Sequence, residues 1–71
     1  MENQFDYAKI KDKIYDYYCH TIASLSRICD ISEKRLRNFF NPEIKHNAYK
    51  DMYIIEKIAF ALKTEVNELL A

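Results

Sequence analysis

Apolar residues recur along this chain at the three- and four-residue spacing of amphipathic helices, and the pattern predicts five helices and no strand. A first helix is predicted over Phe5–Tyr18. Ile10, Ile14 and Tyr17 or Tyr18 lie on its inner face, and Lys9, Lys11, Asp12, Lys13 and Asp16 on its charged one. Thr21 is a good N-cap for a second helix whose Ile22, Leu25, Ser26 and Cys29 share one face. That helix stops near Asp30, a residue type that tolerates the left-handed conformation a tight turn needs. Ser32 caps a third helix. Ile31 and Leu36 stand at the two positions of a hydrophobic staple, and Leu36, Phe39 and Phe40 point inward. Pro42 disfavours helix at Asn41 and ends this element. Residues 43–48 are a polar connector. A fourth helix is predicted over Tyr49–Leu62, with Ile55, Ile58, Ala59 and Leu62 as its inner stripe. Thr64 is read as the cap of a last short helix carrying Val66, Leu69 and Leu70.

A chain of 71 residues makes one small domain, here taken as residues 1–71, with a modest core. An apolar fraction of 49% with mixed charges fits a folded chain, not a disordered one. The absence of glycine excludes the Gly-rich loops that cradle phosphates in dinucleotide and P-loop proteins. No run is long and apolar enough to span a membrane, and MENQFDYAKIK lacks the features of a secretory signal. A cytoplasmic protein is expected. Cys19 and Cys29 form no CxxC and read as packed thiols without a disulfide. His20 and His46 share no ligand spacing with them, so no metal or other cofactor is expected. Nothing pairs a nucleophile with a base, and an enzyme is not expected. The six tyrosines, at helical spacing, are assigned to core and rim.

The formal net charge is zero, but it is unevenly spread. Residues 21–41 hold Arg27, Lys34, Arg35 and Arg37 against Asp30 and Glu33, an excess of two positive charges. A local excess of this kind can steer an anionic partner even when the whole chain is neutral.

Two segments carry a family resemblance. The first is Leu25-Ser26, Asp30-Ile31-Ser32, Leu36 and Phe39-Phe40-Asn41. The second is KIAFALKTEVNELL, residues 57–70. Together they resemble the lambda-repressor-like helix-turn-helix family, the DNA-binding domains of phage repressors, Cro proteins and many bacterial regulators. The resemblance covers about residues 5–70 and implies a compact all-α five-helix domain with its helix-turn-helix unit at 21–41. The chain departs from the pattern at Ile22, where the family often has Gln, and at Ser26, Asp30 and Pro42.

The resemblance implies a sequence-specific double-stranded DNA-binding regulator whose third helix enters the major groove. The expected base contacts are Glu33, Lys34, Arg37 and Asn38. Lys or Arg can pair with guanine O6 and N7, and Glu can accept from cytosine N4. The expected phosphate contacts are Thr21, Asn41, Lys45 and Lys50. Arg35 is expected to point sideways toward a nearby acid. A homodimer is expected, because one small module makes few contacts; its contact would come from the last helix, the Leu69-Leu70 end or exposed apolar residues such as Ile28. The alternative is the same fold serving as a protein-binding module, an inhibitor or antitoxin-like partner. Neutral charge, Ile22 and abundant tyrosine favour that alternative.

Overall fold

The computed structural model describes residues 5–70 and is all-helical over them. Its elements are α1 (Tyr7–Asp16), α2 (Ile22–Cys29), α3 (Glu33–Phe40), α4 (Ala48–Ala61) and α5 (Val66–Leu70), with no strand among the described residues. No helix among these residues is long and apolar enough to cross a membrane.

Local signals start most of the helices. The Asp6 carboxylate accepts from the Lys9 amide and opens α1. Thr21 Oγ1 accepts from Ser24 N, and Ser24 Oγ accepts from Thr21 N, which closes a capping box at the start of α2. Ser32 accepts from Arg35 N at the start of α3, and the staple residues Ile31 and Leu36 are both buried. Asn47 Oδ1 accepts from Tyr49 N and Lys50 N, so α4 begins one residue earlier than its apolar stripe predicts.

Without glycine, the chain takes left-handed backbone at Cys19, Asp30 and Lys63, each with φ near 60°. The first of these shortens α1: the chain reverses after Asp16, and His20 N donates to Ile14 O. Tyr17 is therefore exposed, and Tyr18 packs against the core. The second joins α2 to α3. Ser26 Oγ donates to Ile31 O at 2.6 Å across that turn, which gives the small polar residue on the inner face of α2 a structural role. The third precedes α5. Thr64 does not cap that helix; its hydroxyl oxygen accepts from Tyr18 OH at 3.1 Å, and Glu65 O takes the Glu68 and Leu69 amides instead.

All five helices feed one core. Ile10, Ile14, Leu25, Leu36, Ile55, Ile58 and Leu69 are its fully buried side chains. Each contributes about 1.5–3 kcal/mol by leaving water. α3 is gripped between α1 and α2, and α2 also packs on α4. Of the tyrosines only Tyr7 is buried; Tyr15, Tyr17, Tyr49 and Tyr53 are exposed, so core packing is not their common role.

Burial sets an alkaline limit. The Cys29 thiol is pushed up from 9.0 to about 11 by burial, partly offset by the positive charge of Lys57. The Tyr7 phenol is pushed up by burial and by the hydrogen bond and negative charge of Asp51. Both raised groups stabilise the fold fully below their unfolded values, and that stability is lost as pH rises toward the folded ones. For Cys29 the loss spans pH 9 to about 11, at up to about 1.4 kcal/mol per pH unit. Denaturant titrations should show stability falling from pH 9. In Cys29→Ala the decline should begin about one pH unit later, where unfolded tyrosine ionises.

Candidate nucleic-acid interface

The α3 sequence EKRLRNFF divides into two faces. Leu36, Phe39 and Phe40 are buried, which turns Glu33, Lys34, Arg37 and Asn38 to solvent together with Arg35. Arg37 Nη1 lies 3.2 Å from Glu33 Oε1, one helical turn away, with both side chains about half exposed. An exposed pair of this kind contributes little, so the guanidinium is available to a stronger acceptor. The Lys34 side chain has no polar partner among the described residues.

The phosphate candidates divide into two groups. Lys45 and Lys50 line one open hollow of about 600 Å³ between α3 and the start of α4, together with Asn38 and Arg35. Thr21 and Asn41 are not part of its lining. Thr21 is exposed at the start of α2 with its hydroxyl committed to the capping box. Asn41 Oδ1 accepts from Glu43 N at 2.9 Å, which leaves its amide NH2 as the group able to donate elsewhere.

Arg35 is where the sequence reading needs correction. It makes no ion pair among the described residues and faces the hollow instead. Arg35 and Asn38 are three residues apart on one helix, a spacing that places them side by side. That was the legible signal; the path of the connector that brings Lys45 and Lys50 opposite them was not.

The connector is held by a buried polar cluster. Asp51 Oδ2 accepts from the Tyr7 hydroxyl, and His46 Nδ1 lies 3.0 Å from the same oxygen. His46 Nε2 lies 2.7 Å from Asn41 O, and its ring stacks on Tyr7 at 4.2 Å between centroids. Both ring nitrogens thus face oxygen acceptors, and both contacts are hydrogen bonds when both nitrogens carry hydrogens. The cluster ties α1, the end of α3 and the first turn of α4 into one unit. Asp51, the one carboxylate on the lining of the hollow among the described residues, is engaged by these donors, so within those residues the hollow presents Arg35, Lys45 and Lys50 as its free charges.

Among the described residues no group of three or more His, Cys, Asp or Glu could hold a metal ion. Cys19 is exposed and Cys29 buried, and both are free thiols. The structure defines an all-α protein with a cationic helix face and an adjoining cationic hollow. No protein-family model, curated protein or solved structure matches the chain significantly.

Proposed function

We propose that this chain is a sequence-specific double-stranded DNA-binding regulator, of the kind phages and mobile elements use as repressors, working in the cytoplasm as a homodimer. In this reading α2 and α3, joined through Asp30–Ser32, act as a helix-turn-helix, and α3 lies in the major groove. Lys34 and Arg37 read guanine edges, with Glu33 and Asn38 beside them. Arg35, Lys45 and Lys50 hold the flanking phosphates, with the amide of Asn41 and the start of α2 at Thr21 as further backbone contacts.

The observation that carries the reading is the joint placement of these cations. In a chain of zero net charge, Lys34 and Arg37 stand on the exposed face of α3, and Arg35 and Asn38 of the same helix line a hollow whose free charges among the described residues are positive. Salt tests it. Each phosphate contact adds about 0.9 to the slope of log affinity against log salt concentration, so three contacts predict a slope near −3 per protomer. Arg35→Ala should make the slope shallower by about one. Binding that ignores salt contradicts the proposal.

A protein-binding module is the second reading. Tyr17, Tyr49 and Phe60 are at least three-quarters exposed, and aromatic side chains are enriched at protein interfaces. No binding to any duplex at low salt would favour it.

A further inference from the structure

Three of the exposed apolar side chains, Ile28, Tyr53 and Phe60, line one recess where α2 packs along α4. Phe60 is 87% exposed, whereas Phe39 and Phe40 are in the core. The Phe60 ring forms one wall of this recess of about 340 Å³, which is also lined by Ile28, Cys29, Tyr53, Lys57 and Ala61, with Ile28 and Tyr53 themselves about half exposed. Glu56 and Lys57 border the recess, and neither forms an ion pair among the described residues; the Lys57 ammonium rests 5.6 Å from the centre of the Tyr53 ring.

We propose that this face binds a second copy of the chain, with Phe60 of each protomer seated in the partner's recess. A two-fold interface uses the same patch on both subunits, so the patch must be complementary to itself. This one carries an exposed ring on the wall of a hollow, and one acid next to one base. Under a two-fold rotation each ring meets a recess, and Glu56 can approach Lys57 of the other protomer. Charge balance of that kind favours a copy over a partner of one strong charge sign. Tyr53 also lines the cationic hollow, so the self-association face borders the proposed phosphate-binding surface.

A stable stand-alone dimer buries about 800 Å² per partner, roughly one-sixth of the 5056 Å² surface of this chain. The proposal adds a surface to the DNA-binding reading, and its test uses no DNA, so either can fail alone.

Sedimentation equilibrium over a wide concentration range tests it. The wild-type chain should pass from monomer to dimer as concentration rises. Phe60→Glu removes two buried rings per dimer and should weaken association at least about a hundredfold, with helical circular dichroism unchanged because the side chain is exposed. Glu56→Lys and Lys57→Glu should each weaken association, and the double exchange should restore it. A wild-type chain that stays monomeric at about 1 mM, the weak end of specific association, would overturn the proposal. So would Phe60→Glu dimerising as tightly as wild type, or a double exchange no tighter than either single change.

Discussion

Asp51→Ala is expected to lower the stability of the protein by about 3–5 kcal/mol, the usual cost of removing one partner from a buried charged cluster. The carboxylate is 5% exposed and is the shared acceptor for Tyr7 and His46. Without it, two polar groups lose their partner where little water can replace it. A domain of this size has about 4–11 kcal/mol of total stability, so the change consumes a large part of it. The thermal midpoint should fall by about 12–40 °C. Tyr7→Phe removes only one donor and should cost less, about 1–3 kcal/mol. The double variant should cost less than the sum, because the hydroxyl no longer matters once its acceptor has gone. Thermal unfolding of the four proteins closes this cycle. An Asp51→Ala midpoint within a few degrees of wild type would show that the cluster does not hold the connector.

That cluster also marks the limit of what the sequence could reveal. The starts of α2 and α3 were legible because Thr21, Ser32, Ile31 and Leu36 act on neighbours within a turn. The burial of Leu36, Phe39, Phe40, Ile55 and Ile58 followed from periodicity for the same reason. Asp51 reads in sequence as an ordinary acid in a helix first turn. Its partner Tyr7 is 44 residues away, and nothing local pairs them. The end of α1 was misplaced because Tyr17 and Tyr18 fit the helical spacing, while the left-handed turn at Cys19 is set by packing. Thr64 looked like a cap until Tyr18 claimed its oxygen. On the candidate interface, the solvent face of α3 was legible from its own buried residues. The placement of Arg35 was hidden because the hollow it faces is completed by residues 44–50, whose course depends on the His46 contacts.

The second large effect concerns binding. The Lys34→Ala/Arg37→Ala double variant is expected to lose about 2–6 kcal/mol of affinity for its cognate duplex per protomer, from two contacts of about 1–3 kcal/mol each. That is between about 30-fold and 10⁴-fold. Stability should change by no more than about 0.5 kcal/mol, because both side chains are exposed and their only ion pair among the described residues, Arg37 with Glu33, is a surface one. Affinity for non-cognate duplex should fall much less, since Arg35, Lys45 and Lys50 remain to hold phosphates. The two losses can be read in one fluorescence-anisotropy series against cognate and scrambled duplexes. Equal losses on both would make Lys34 and Arg37 phosphate contacts and move base reading elsewhere.

Selection of bound duplexes from a random library decides whether α3 reads a DNA sequence. An enriched two-fold-symmetric site is expected, with half-sites about 34 Å apart, one helical turn. The Lys34→Ala/Arg37→Ala variant should fail to enrich it. A library that remains random after selection at low salt would rule out sequence reading by α3 and favour a protein-binding module.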